Sequence, residues 1–225
     1  MGFEEQLAVF SPDGRLIQVE YAQQASEQGS LVVFAVGSEE IVVSLERKTG
    51  NRLLIEEPKM FMINEAQGIW MSYSGFKPDA YLVMNVARMI CTSYKSSTGE
   101  DITIDQLARR VGEYKQRYTV VYHQRPFGVR TVLFGLSAKP IAYVIEPDGN
   151  FSEFYCGAIG QKSQKVCEYL EKEERSDLVR LTILGLMEVV QSDPNKISTF
   201  VISKEECKRV ECSVIMSVID SSVDQ

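Results

Sequence analysis

The sequence lacks the residues from which most protein metal sites are built. It has a single histidine, His123, and five cysteines, and no two of these cysteines form a Cys-x-x-Cys pair. No zinc-binding pattern is therefore present. Nor does the chain contain a glycine-rich phosphate-binding motif of the GxGxxG or GxxxxGK[ST] kind. We expect no metal and no other cofactor, and we expect the thiols to be reduced, as in a reducing compartment.

Long apolar runs and a basic face are missing as well. No apolar stretch approaches the length of a membrane span, and the acidic residues Glu4 and Glu5 stand where a secretory leader would be apolar. The formal net charge is -7 and the pI is about 5.0, whereas a general nucleic-acid binder needs a basic surface. We expect a soluble intracellular protein that binds neither nucleic acid nor membrane.

The order of the predicted elements indicates the fold class. The chain has 225 residues and is 44% hydrophobic, enough for one sizeable core. Apolar spacing predicts a first helix near 16–25, then two strand pairs, two helices, further strands, two more helices and two final strands. Strands in blocks joined by short turns favour antiparallel pairing. We predict an α+β fold in which two stacked antiparallel sheets lie between two helix layers.

Two predicted strands and one predicted division of the chain have definite boundaries. Residues 151–158 are expected to form one strand after the Pro147–Asn150 turn, and residues 211–217 are expected to form the last strand. The chain is expected to divide into an N-terminal segment and helix, 1–29, and a sandwich domain, 30–225, that together form one structural unit.

The most specific motif is the string FSPDGRLIQVEYA at 10–22. A turn followed by an amphipathic helix would explain the apolar periodicity of this string but not its specific order of residues. The string resembles the signature of proteasome alpha subunits. Four later motifs match the same family in the same order: YSG with PDA at 73–80, RPFGV at 125–129, PDGN at 147–150 and AIG at 158–160. The resemblance covers nearly the whole chain.

This resemblance implies a four-layer α/β/β/α sandwich similar to N-terminal-nucleophile hydrolases. It implies a non-catalytic subunit of a heteroheptameric alpha ring in the 20S core particle, placed in the cytoplasm and nucleus. The expected partners are other alpha subunits, beta subunits and the C-termini of a regulatory particle or activator. Within the family, residues 150–171 look most like the sixth alpha subunit of the eukaryotic ring, alpha type-1.

Catalytic relatives, the beta subunits, use an N-terminal threonine whose own α-amine takes the hydroxyl proton. The equivalent point here falls near Gly29-Ser30, behind the helical extension. Our alignment puts Leu45 at the place of the catalytic carboxylate and Lys59 at the place of the catalytic lysine. No catalytic residue is therefore predicted. The alternative is an active peptidase, formed by cleavage before Ser30 and using that serine as nucleophile.

Lys59 has two interpretations. It could be a solvated lysine at a strand edge. The family resemblance implies instead that it lines a regulator-docking pocket, where its ammonium pairs with the C-terminal carboxylate of an activator.

The N-terminal residues are the expected gate. Where alpha subunits have a Tyr-Asp-Arg segment, this sequence has Phe3, Glu4 and Glu5, while Pro12 and Tyr21 of the gate-stabilising cluster are retained. We expect a weak contribution to pore closure; the alternative is a frayed terminus without a role. The apolar stripe of the first helix is expected to pack on its own sheet and also to form a ring contact with the neighbouring subunit; it consists of Leu16, Val19 and Ala22.

Overall fold

The computed structural model describes residues 9–47, 53, 58–121, 124–136, 139–190, 193–204 and 206–223. Its helices are α1 (Ile17–Glu27), α2 (Lys77–Thr98), α3 (Ile104–Val120), α4 (Ser163–Lys172), α5 (Leu178–Met187) and α6 (Cys212–Val223). Its strands are β1 (Val32–Val36), β2 (Ile41–Glu46), β3 (Phe61–Asn64), β4 (Ile69–Gly75), β5 (Val129–Gly135), β6 (Ile141–Ile145), β7 (Phe151–Phe154), β8 (Cys156–Ile159), β9 (Ile197–Ile202) and β10 (Cys207–Arg209). No helix among these residues is long and apolar enough to cross a membrane.

The strands form two five-stranded sheets. The first sheet has the order β10-β9-β2-β1-β8 and the second has the order β3-β4-β5-β6-β7. All of their strand pairs are antiparallel. The predicted β1–β2 hairpin is confirmed, and the Gly37 N–H closes it by donating to the Glu40 carbonyl at 2.8 Å.

Three apolar layers hold the sandwich together. Between the sheets lies a cluster that includes Phe34 and Phe134, whose rings meet edge to face with centroids 5.7 Å apart. Helices α2 and α3 cover the outer face of the second sheet, and α4, α5 and α6 cover that of the first. The predicted four-layer α/β/β/α sandwich is thereby confirmed.

The prediction of a single strand over 151–158 is wrong. The chain changes sheets at Tyr155: β7 pairs with β6 in the second sheet, and β8 pairs with β1 in the first. The Tyr155 carbonyl accepts a hydrogen bond from the Val36 N–H at 2.7 Å, which fixes the crossing. The two halves of this segment pair with strands of different sheets. The prediction failed because strand-forming residues continue through the segment and do not mark where it divides.

The prediction of a final strand over 211–217 is also wrong. This segment begins α6, in which Ile215 and Ile219 are buried while Val214 and Met216 are exposed. A spacing of four residues between buried side chains is helical. The predicted window ended before Ile219, so it contained only one of the two buried positions. The last strand is instead the short β10, which pairs with β9.

Candidate functional site

The link between α1 and β1 is held from two sides. The Gly29 carbonyl accepts the Gln161 N–H at 3.0 Å, and the Ser74 hydroxyl donates to the Ser26 carbonyl at 3.2 Å. A Cβ atom on Gly29 would collide with the backbone nitrogen of Gly75. Glycine is therefore required here, because two backbone segments cross in direct contact. The end of α1 is fixed to β4 and to the turn after β8.

Lys59 lies directly against this link. Its ammonium donates a hydrogen bond to the Ser30 hydroxyl and sits 5.6 Å from the centroid of the Tyr73 ring. The side chain is half-buried, so the interpretation of Lys59 as a freely solvated lysine does not describe its surroundings. The structure thus brings together two residues that the sequence placed 29 positions apart.

The assignment of Leu45 to the carboxylate position is wrong by one residue. Leu45 is 3% exposed and packs in the core between the sheets. The next residue, Glu46, points the other way, and its carboxylate accepts the Leu31 N–H at 2.8 Å. Because successive strand residues face opposite sides, a shift of one residue exchanges a core leucine for an acid beside Ser30. An acidic side chain does reach the start of β1.

A hydroxyl, an ammonium and a carboxylate therefore lie near one another at Ser30. What the arrangement lacks is an α-amine, because the nitrogen of Ser30 is an amide that follows Gly29 and helix α1. Without that amine the hydroxyl has no terminal base of the kind used in N-terminal-nucleophile chemistry. In the uncleaved chain the Ser30 nitrogen is thus held in a peptide bond, while the carboxylate at this place is supplied by Glu46.

A largely apolar groove of about 590 Å³ opens next to the same link. We call it the docking groove, and its lining includes Tyr21, Ala25, Gly29, Phe76 and Pro126. Tyr21 and Phe76 are about half exposed, at 47% and 51%. Large apolar side chains left open in a concave surface are typical of binding sites.

One wall of the docking groove is braced by a buried acid. The Asp79 carboxylate accepts hydrogen bonds from Arg125 at 2.6 and 2.8 Å and from the Gly128 N–H at 2.9 Å. Arg125 also lies over the Phe76 ring, 5.5 Å from its centroid. Asp79 raises the pKa of Arg125, mainly through their hydrogen bond. The wall consequently carries a fixed cation at its rim.

Sequence reasoning missed the residue behind this wall, Lys115 of α3. Its side chain is fully buried, and its ammonium donates to the Val129 carbonyl, the Thr131 hydroxyl and the Ile145 carbonyl at 3.0, 3.0 and 2.9 Å. A signal was present, because Lys115 continues the buried stripe of Leu107 and Val111 at a spacing of four residues.

The remaining predicted site residues are distributed as follows. Val19 and Ala22 are buried and Leu16 is half-buried, on a helix that packs against β4 and β5 of its own chain. Packing on its own sheet is thus observed for this stripe. Pro12 is exposed, and Phe3 and Glu4 lie outside the described residues.

Comparison with known proteins gives a consistent result over most of the chain. A proteasome subunit family model matches residues 26–203, and a model of the N-terminal signature of A-type proteasome subunits matches residues 3–25. The alpha type-7 proteasome subunit of Cicer arietinum is 30% identical over 97% of this chain and 92% of its own length. The protein of the same name from Solanum lycopersicum is 31% identical over 96% of this chain and 87% of its own length.

These relatives do not support the finer resemblance to alpha type-1, because they carry the name alpha type-7. That expectation depended on residues 150–171 alone. The similarity to the alpha type-7 subunits, by contrast, extends over 96–97% of the chain.

Proposed function

The chain belongs to the proteasome subunit family and carries its alpha-type signature, and on that basis we propose that it is a non-catalytic subunit of the alpha ring of the 20S core particle. One observation carries the proposal: the N-terminal signature of A-type subunits matches residues 3–25 and continues into α1, which packs on β4 and β5 of the sandwich. Its contribution to protein degradation, including ubiquitin-dependent degradation, would be assembly, axial gating and regulator docking.

The proposed partners are the other alpha subunits of a heteroheptameric ring on either side, beta subunits on one face, and a regulatory particle or activator on the other. The names of the relatives support membership of such a particle. The neighbours within the ring and the location in the cytoplasm and nucleus are part of the proposal.

The docking groove is the proposed site for an activator's C-terminus. Its apolar lining suits a terminal aromatic or aliphatic side chain. Lys59 contacts Ser30, the residue after the groove-lining Gly29, and supplies an ammonium for the terminal carboxylate. The Lys59 ammonium would then exchange its hydrogen bond to the neutral Ser30 hydroxyl for one to an ionised carboxylate.

The N-terminal segment is the proposed gate element. Pro12, in the turn before α1, and Tyr21, on α1, are both exposed and available to a neighbouring subunit. The sequence before Pro12 has acidic residues in place of the family's Tyr-Asp-Arg segment, which supports a weak contribution to pore closure.

The test is isolation of the native particle through an affinity tag on the C-terminus of this chain. We expect co-purification of other alpha and beta subunits, an intact mass that retains the residues before Ser30, and no labelling of this chain by an inhibitor that acylates N-terminal nucleophiles. A mass that begins at Ser30, together with labelling at that residue, would contradict the non-catalytic role and favour the peptidase.

A further inference from the structure

The buried ammonium of Lys115 lies behind the docking groove. Its three donors meet three oxygen acceptors, two on β5 and one on β6, and the side chain has no exposed surface. One acceptor is the carbonyl of Val129, the residue after Gly128. A single side chain of α3 therefore holds the strand that continues from the groove wall.

The groove wall is held together by hydrogen bonds of Gly128, the residue before Val129. The Phe76 N–H donates to the Gly128 carbonyl at 2.8 Å, and the Gly128 N–H donates to Asp79 at 2.9 Å. Phe76 and Gly128 both line the docking groove. Gly128 thus joins the groove wall directly to Val129, the residue whose carbonyl accepts the hydrogen bond from Lys115.

Burial lowers the pKa of Lys115 to about 7. The charged groups around it are Arg130 of β5, Glu146 and Asp148 at and beyond the end of β6, and Asp79 of α2. The three acids favour the ammonium and Arg130 opposes it, but desolvation is the largest effect.

We propose that Lys115 is a positioning residue for the docking groove, and that loss of its third ammonium proton loosens the groove wall and weakens the docking of a peptide C-terminus. The inference depends on the proposed function of the groove. In the charged state all three hydrogen bonds are charge-assisted. In the neutral state the amine keeps two donors and accepts the Thr131 hydroxyl proton, so the bond to Val129 is an ordinary one, about half as strong.

A positioning role for Lys115 and a purely structural one predict different effects of pH on docking affinity. Desolvation penalises the ammonium in the fold, so the free energy of unfolding rises as the pH increases through 7. The Lys115–Val129 hydrogen bond that holds the groove wall, in contrast, weakens over the same pH interval. Stability and docking affinity therefore move in opposite directions.

The experiment uses the full chain and an N-acetylated fluorescent peptide with aromatic residues near a free C-terminal carboxylate. Fluorescence anisotropy measures its Kd from pH 6 to pH 8.5. We expect the Kd to rise three- to tenfold in the wild-type chain and to stay level in Lys115→Met. His123→Gln serves as the control, because the ordinary pKa of a histidine side chain lies in this range. Loss of the pH dependence in His123→Gln would overturn the proposal.

Hydrogen exchange at the Phe76 amide provides a second measurement that needs neither the peptide nor a variant. We expect its protection factor to fall between pH 6 and pH 8.5 as the wall loosens. A constant protection factor would overturn the proposal even if Lys115→Met fails to fold. If the peptide binds at no pH while the protection factor falls, the proposed docking function is wrong and the proton-dependent wall stands.

Discussion

The carboxylate of Asp79 and the guanidinium of Arg125 form a two-pronged ion pair, at 2.6 and 2.8 Å, that fixes the start of α2 to the segment leading into β5. Asp79 is 4% exposed at its side chain, while Arg125 is 57% exposed. The acid is thus the buried partner, and its remaining acceptor capacity is used by the Gly128 N–H. The pair braces one wall of the docking groove.

Replacing the acid should therefore destabilise the fold. We expect Asp79→Asn to lower the free energy of unfolding by about 2 kcal/mol, because the buried group loses its charge while its donors stay in place. The exposure of Arg125 keeps the loss below that of a fully buried pair. Urea denaturation measures it. Lys95→Ala, which breaks an exposed ion pair with Asp101, is the control and should change stability by less than about 0.5 kcal/mol.

Reversing the charge at Lys59 tests the docking role. We expect Lys59→Glu to weaken activator binding at least tenfold, because a carboxylate would then face a carboxylate. Binding of the activator to assembled particles, measured by surface plasmon resonance, gives the affinity, and circular dichroism checks the fold. Lys139→Glu, in the exposed connection between β5 and β6 where Lys139 pairs with Glu153, is the matched control. Equal affinity in both variants would show that Lys59 does not dock the regulator.

Deleting the first five residues tests the gate. We expect deletion of 1–5 to raise the basal hydrolysis of a short fluorogenic peptide by less than about twofold, since this segment lacks the family's Tyr-Asp-Arg residues. The wild-type particle, prepared in parallel, sets the baseline. An increase of tenfold or more would mean that this terminus is a principal plug of the pore.

Two buried serines should respond differently to the same substitution. The Ser44 hydroxyl bonds to the hydroxyls of Thr182 and Thr199 at 3.0 and 2.9 Å, whereas the Ser72 hydroxyl has no partner among the described residues. We expect Ser44→Ala to cost about 1–2 kcal/mol and Ser72→Ala to be neutral or stabilising. Thermal and urea denaturation of both variants test this. Equal losses would show that Ser72 is bonded.

The pH dependence of stability should contain a contribution from Lys115. Its pKa is about 7 in the fold against 10.5 for the free side chain, so between these values the unfolded chain binds more protons. Stability should rise with pH across this window, by at most about 1.4 kcal/mol per pH unit, and the contribution should level off below pH 7. Urea denaturation at pH 6, 7.5 and 9 measures the slope. Lys115→Met should lack this component, and identical slopes in both chains would refute it.

The sequence alone determined the fold class and the family. Apolar periodicity located α1, the β1–β2 hairpin and the α2–α3 pair, because burial of one face imposes a spacing on the residues that form it. The signature at 10–22 identified the alpha type before any contact was known. These features are local, so they can be recognised in the amino-acid sequence.

Only the tertiary structure decided what depends on partners distant in the chain. Tyr155 passes from one sheet to the other because β6 and β1 offer hydrogen bonds on different sheets. Glu46, and not Leu45, reaches the start of β1 because the strand register sets which side chain faces the core. Lys115 is held by oxygens of β5 and β6, which come together only when the chain folds. Pairing and register are cooperative properties of the folded chain, and a local pattern does not encode them.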